Sequence, residues 1–412
     1  MKLFLIKVGK AWHTIQSDGF GPGIVRVTRA FFALFRRVRS ADVLFVTGGV
    51  GDSARFRTDF VAEWLGRQGI TSSITVQDNP RLPTYAGKFS VFVFHRVLHT
   101  SRVAALIGRA KSLGKEIVFE TDDLVYDPEY LRHMDYWRVM NPLERKLYEN
   151  GVGGEILADS YVNVATTTTP YLAEKLAERG KRVFLVPNRL PEADVRIAED
   201  ILEKRECDPE EKNGIVTIGY FSGSRGHDKD FATVTDVLLR LLERHPGLRL
   251  FIVGPLVLED RFGRFATRID RERYVPREKH FRNVASVDIN IAPLEIGNPF
   301  CEGKSELKFF EAGIVGVPTV AAATRTFREA ITDGRDGFVA GSEVEWEEKL
   351  ERLIDDVALR EEIGKAARKT ALKRYTTRVD DGSGYVEYLK RKCEVRSEKR
   401  VGESTKERNS VN

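Results

Sequence analysis

What most constrains this chain is a repeated alternation of short apolar runs with stretches of helical spacing, broken once by an acidic stretch flanked by prolines. In the first half, the pattern predicts strands at 42–46 (DVLFV), 73–76, 89–94 (FSVFVF), 115–119 (KEIVF), 161–165 and 183–186 (VFLV). Between them, Val103, Leu106, Ile107, Ala110 and Leu113 recur at helical intervals, as do Phe56, Phe60 and Trp64. Strands too short to be helices, alternating with amphipathic helices, imply a parallel sheet covered by helices. Residues 191–213 are acidic and nearly free of aromatics, and read as a linker with one exposed helix. The alternation then restarts with strand 215–220 (IVTIGY), helix 231–243 and strand 249–253, followed by strands 286–292 and 317–321 and helices 305–315 and 345–355. The fold class expected is α/β, as two Rossmann-like doubly wound domains facing across a cleft, with ligands at the carboxyl ends of the strands. The expected division is an N-terminal extension 1–40, a first domain 41–190, the linker 191–213 and a second domain 214–375. A C-terminal helix 376–390 and a disordered tail 391–412 complete it.

A chain of 412 residues exceeds what one core usually supports, which agrees with two domains. The 66 Lys and Arg against 61 Asp and Glu leave a net charge of +5, too little for a general nucleic-acid binder. Cys207, Cys301 and Cys393 show no metal-ligand spacing, which argues against structural zinc and for a reducing compartment. The N-terminus lacks a signal-peptide pattern, and no segment approaches the roughly 18–20 apolar residues that span a bilayer. A cytoplasmic protein is expected, with the inner face of the membrane as an alternative placement. That alternative rests on RVTRAFFALFRRVRS (26–40), which reads either as a helix packed on the first domain, the favoured reading, or as a peripheral membrane contact.

Four motifs carry candidate chemistry. At 293–319 (PLEIGNPFCEGKSELKFFEAGIVGVPT) a Gly-, Asn- and Pro-rich loop feeds a helix expected to start at Ser305 as N-cap. Gly303, Lys304 and Ser305 would cradle a diphosphate there, and Glu311, about two turns on, would accept hydrogen bonds from a ribose. The competing reading makes Lys308 and Glu311 a solvated i,i+3 pair. At 219–231 (GYFSGSRGHDKDF) a small-residue turn with Gly223 and Ser224 precedes Arg225, His227 and Lys229, a phosphate cradle or an ordinary polar turn. At 47–57 (TGGVGDSARFR), Gly49, Gly51 and Ala54 fit a weak dinucleotide fingerprint, with Asp78 further on. At 119–128 (FETDDLVYDP), Asp122 and Asp123 end a strand, where they would orient an acceptor hydroxyl, act as base, hold a metal or merely cap a turn. His95 and Arg96 end the neighbouring strand.

Residues 215–375 resemble the donor-binding domain of group 1 glycosyltransferases, the retaining family 4 with the GT-B fold. The resemblance rests on IGYFSGSRGHDKDF, on VASVDINIAPLE with GKSELKFFEAGIVGVPTVA, and on ITDGRDGFVA with EWEEKLERLIDD. It implies a nucleotide-diphosphate sugar as donor, transfer with retention, a glycan, lipid-linked or small-molecule acceptor, and neither cofactor nor obligatory metal. It further implies that Glu311 holds the ribose and that Lys229, with Arg225 adjacent to the usual arginine position, contacts the phosphates. The first glutamate of the family's E-x7-E motif falls to Glu302, one residue further from Glu311 than the pattern. Asp122 and Asp123 stand where many members carry a His-Asp pair. The remaining alternatives are a sugar-nucleotide epimerase of the same fold, an NAD-dependent enzyme using Gly49–Ala54, and a catalytically inactive donor-binding protein.

Overall fold

The structure, a computed structural model, describes residues 20–138, 140, 142–207, 214–223, 226–273, 275–380 and 382–394. It divides into two compact units, one built from Pro22–Pro128, Lys146–Asn188 and the chain after Asp380, the other from Glu129–Arg145 and Arg189–Val379.

The first unit holds strands β1 (Val43–Thr47), β2 (Ser72–Val76), β3 (Val91–His95), β4 (Glu116–Thr121), β5 (Val164–Thr167) and β6 (Arg182–Leu185). All pair in parallel in the order β2-β1-β3-β4-β5-β6. β1 and β3 are buried along their whole length, because helices cover both faces of the sheet; VLFVT and VFVFH are therefore nearly continuous apolar runs. The helical stretch after β1 contains a π turn, Arg55–Asp59, that carries the fully buried Arg57. Its guanidinium donates to Glu120 at 2.8 and 3.2 Å, to the Val186 carbonyl at 2.8 Å and to Asn188 at 3.0 Å, so the charge is neutralised inside the core.

The second unit holds β7 (Val216–Phe221), β8 (Leu248–Val253), β9 (Ile269–Glu272), β10 (Ile289–Ala292), β11 (Thr319–Ala322) and β12 (Phe338–Ala340). Read from one edge, the order is β9-β8-β7-β10-β11-β12, the arrangement of a mononucleotide-binding pair of halves. Both sheets are thus Rossmann-like, with the switch in strand order between β1 and β3 in one and between β7 and β10 in the other. β9 and β12 escape the sequence pattern for physical reasons: β9 is an edge strand with Asp270 and Arg271 exposed, and β12 is only three residues long.

Three expectations about boundaries change. The stretch 191–213 carries a helix, Glu192–Cys207, and its Val195 and Ala198 are buried in the second unit's core. Asp200 and Glu203 are on the exposed side of this docked helix, while Asp194 is buried; residues 208–213 lie outside the described part. The C-terminal helix runs over 385–394 rather than 376–390, since Gly382 and Gly384 adopt φ of +61° and +70° and break the chain before it. Tyr385, Val386, Tyr388 and Leu389 pack with Phe184 in the first unit's core, so the chain after the second sheet re-enters the first unit. Of the tail expected at 391–412, residues 391–394 complete that helix and 395–412 lie outside the described part. At the other end, a helix spans Phe20–Ala33. Against the packed reading of 26–40, Phe31, Phe32 and Phe35 are 56%, 70% and 58% exposed. No described helix is long and apolar enough to cross a membrane.

Candidate active site

In open parallel sheets, neighbouring loops diverge at the switch in strand order and leave a crevice at the carboxyl ends. In the second domain those ends are Phe221 on β7 and Ala292 on β10. The helix Leu307–Ile314 points two charged side chains there, Lys308 half-buried and Glu311 buried. Lys308 Nζ donates to the Phe221 carbonyl at 2.8 Å and sits 4.5 Å from the centre of the Tyr220 ring. Burial, with Lys304 alongside, pushes the Lys308 ammonium down to about 8. One turn on, Glu311 is 6% exposed, with Arg277 Nη1 at 2.6 Å and His280 Nε2 at 3.3 Å. Burial alone would raise its pKa, but Arg277 and His280 outweigh that and bring it down to about 2. Arg277 is held in turn by Asp194 at 2.7 Å. Lys308 and Glu311 are therefore not a solvated surface pair.

The loops around them are tied together by Asp230. Its carboxylate lies 2.9 Å from His227 Nδ1 and accepts from Cys301 Sγ at 3.2 Å and from the Glu295 amide at 3.3 Å. Asp230, Glu295 and Cys301 bring their ligand atoms within 4.8 Å of one another, the one such group among the described residues that could hold a metal ion. Burial and the Asp230 carboxylate push the Cys301 thiol up, so in this arrangement it is a hydrogen-bond donor.

Over residues 235–379 the chain matches a family model described as glycosyl transferase-like. By sequence, no curated protein matches. Among solved structures, HepE from Anabaena in complex with UDP-glucose aligns with a TM-score of 0.56 at 14% identity, covering 87% of this chain and 100% of that one. A glycosyltransferase from Rickettsia africae aligns with a TM-score of 0.57 at 12% identity, covering 87% and 99%. The catalytic domain of starch synthase IV from Arabidopsis thaliana, bound to ADP and acarbose, aligns with a TM-score of 0.56 at 12% identity, covering 86% and 100%. Residues 235–379 are thus glycosyl transferase-like, and the chain as a whole has the GT-B fold of these structures.

In this GT-B fold the other expected donor residues are placed as follows. Gly223 follows β7 by two residues, while Ser224 and Arg225 lie outside the described part. Gly226 has φ +93°, and a side chain there would meet Tyr136 at 3.0 Å, so only glycine lets the segment 129–145 close over this turn. Lys229 is 38% exposed, with Nζ 3.8 Å from Asp135 Oδ1 of that segment. The helix expected to start at Ser305 begins at Leu307, with Glu306 at the N-cap and no side-chain capping bond. A separate short helix, Pro299–Glu302, is capped instead by the Asn298 side chain, which accepts from the Phe300 amide. The Gly303 and Lys304 amides donate back to the carbonyls of Pro299 and Cys301, so they are not the free cradle the loop's composition suggested. Glu302 spends its two oxygens on the amides of Gly297 (3.0 Å) and Arg325 (3.2 Å).

In the first domain, the carboxyl ends of β1, β3 and β4 bring together Ser53, His95, Arg96, Asp122 and Asp123. Asp122 accepts from Ser53 Oγ at 2.7 Å and Arg96 Nε at 2.6 Å, and lies 3.4 Å from His95 Nε2. Burial opposes its ionisation, but Arg96, His95 and Ser53 outweigh that and hold it well below the usual carboxylate range. Arg96 also bonds Asp123, from a left-handed backbone at φ +48°. Gly48 makes this possible, because a Cβ there would lie 2.0 Å from the Arg96 carbonyl oxygen. Gly48 thus serves the close approach of two strand ends, whereas a side chain at Gly49 or Gly51 would meet nothing within 4 Å. Sequence reasoning missed Arg277, His280 and Asp230, whose only local signal is a charge on an otherwise ordinary helix.

Proposed function

We propose that this glycosyltransferase moves a sugar from a nucleoside-diphosphate donor to an acceptor hydroxyl with retention of configuration, in the cytoplasmic synthesis of a glycan or cell-surface polysaccharide. The observation that carries the donor reading is the Lys308–Glu311 pair, a half-buried cation and a buried anion one helical turn apart at the switch point of the second sheet. A lysine with a depressed pKa gains most from an anion, and a diphosphate supplies one. A carboxylate held ionised and desolvated is a strong acceptor for the two hydroxyls of a ribose. That HepE and starch synthase IV carry UDP-glucose and ADP supports a nucleotide sugar as donor.

In this reading Lys229, Lys308 and Lys304, with Arg225 and the turn from Gly223 through Ser224, stabilise charge on the departing diphosphate. The lysines supply that charge, so neither cofactor nor metal is needed for it. Glu302 stands by the donor sugar at the Gly303–Ser305 loop. Asp122 and Asp123 orient the acceptor hydroxyl. The low pKa of Asp122 makes it a poor base, so the hydroxyl proton goes to the leaving phosphate as the new glycosidic bond forms and the C1–O bond to phosphate breaks.

A thermal-shift screen against UDP, UDP-glucose, ADP-glucose and NAD tests the donor site. A ligand at about 100 times its dissociation constant adds roughly 2.7 kcal/mol of stability. Stabilisation by a nucleotide sugar that Glu311→Ala abolishes is expected. Stabilisation by NAD alone would move the site to the first domain's glycine turn and end the transferase reading.

A further inference from the structure

We infer that the helix Phe20–Ala33 and the turn after it dock the glycosyltransferase on an anionic membrane surface. Ile24, Val25, Phe31, Phe32 and Phe35 recur at intervals of seven or a helical turn, and all five side chains are exposed. Phe31 packs edge-on against Phe32 and Phe35 at 6.0 and 5.5 Å, so the three rings form one apolar patch. Isolated exposed apolar residues need no explanation, but a contiguous aromatic patch does. Its surroundings name the partner. Between Asp18 and Asp42 the sequence has five arginines and no acidic residue, and Arg36 and Arg37 adjoin the patch with their side chains exposed. Arg36 and Arg37 beside the rings, with Asp59 as the acidic group facing Arg36, leave the patch rim net positive, which fits the boundary between acyl chains and anionic headgroups.

The placement of this segment in its domain fits such a surface. The Arg36 carbonyl accepts from Asn79, just past the carboxyl end of β2, and the Arg39 carbonyl accepts from Ser73 near the start of that strand. The chain therefore runs down the β2 edge from carboxyl to amino end, and the aromatic patch precedes it. The patch lies at the same end of the sheet as the Ser53–His95–Asp122 cluster. The inference rests on the transfer reading only in giving that end of the sheet an acceptor to meet.

Co-sedimentation of the full chain with vesicles of phosphatidylcholine, alone or mixed equally with phosphatidylglycerol, tests it. The wild type should pellet with the anionic vesicles and much less with the neutral ones, and added salt should release it, since each arginine near an anionic surface is worth roughly fivefold in partitioning. Phe31→Ser/Phe32→Ser/Phe35→Ser should bind at least about tenfold more weakly. Phe32→Ser alone, at the most exposed position, should show a smaller loss with no risk to the fold. Wild-type protein that stays in the supernatant, or a triple variant that pellets equally well, overturns the inference. So does a triple variant that turns a dimer into a monomer without affecting vesicle binding, because the patch would then join two copies of this chain. A UDP-induced thermal shift unchanged in the variants keeps this outcome separate from that of the donor-site reading.

Discussion

Replacing Glu311 by glutamine gives a test in which the size and the pH dependence of the effect both follow from the geometry. Glutamine keeps the shape of the side chain and removes its charge, leaving Arg277 with Asp194 alone. The Glu311 pKa lies at about 2 in the folded protein and at 4.5 as a free side chain. At about 1.4 kcal/mol per unit, the ionised carboxylate stabilises the fold by about 3 kcal/mol at neutral pH. Because the folded-state pKa is depressed, this stabilisation is complete above 4.5 and is lost as pH falls from there toward 2, where the unfolded chain takes up the proton first. By pH 3 about 2 kcal/mol of it should be gone. Urea unfolding of wild type and Glu311→Gln at pH 7, 4 and 3 measures this as a gap between the two proteins that shrinks steadily on acidification. A gap of constant size would mean that Arg277 and His280 do not hold the carboxylate ionised, and the electrostatic account of the site would be wrong. Loss of UDP binding at pH 7 by a variant that remains folded would connect the same charge to the donor.

Three further outcomes are expected. UDP affinity should be flat below pH 8 and fall roughly tenfold per unit above it as Lys308 loses its proton, since the diphosphate binds the charged form; Lys308→Met should bind weakly and show no such fall in calorimetry. Lys229→Ala should lower turnover by about 10²–10³ while the unfolding midpoint stays near that of wild type, as read from steady-state kinetics and thermal melts. Arg57→Met should destabilise the first domain by about 3–5 kcal/mol by leaving Glu120 buried and unpaired, which a large drop in the urea midpoint would show and an unchanged midpoint would refute.

Local pattern in the sequence was enough for the two alternating α/β halves, because a strand buried on both faces must be apolar throughout, as VFVFH is, and a covering helix must repeat its apolar residues every turn. The same locality put Glu311, Asp122 and Asp123 at the ends of such strands or on the helix of a recognisable motif, where the structure also has them. It failed where a residue's partner is distant along the chain. The acidic segment 191–213 has a linker's composition, yet Asp194 is buried against Arg277, 83 residues away. Lys308 and Glu311 have the spacing of a wet surface pair, and only the packing of their helix beneath β7 and against Arg277 and His280 removes them from water. Gly48, beside the Gly49–Gly51–Ala54 fingerprint, is required by the approach of the Arg96 carbonyl, a contact no local pattern shows. Strand and helix periodicity follows from each residue's own burial, which its type reports. Whether a charge is paired or solvated depends on which distant group the fold sets beside it, and tertiary structure alone decides that.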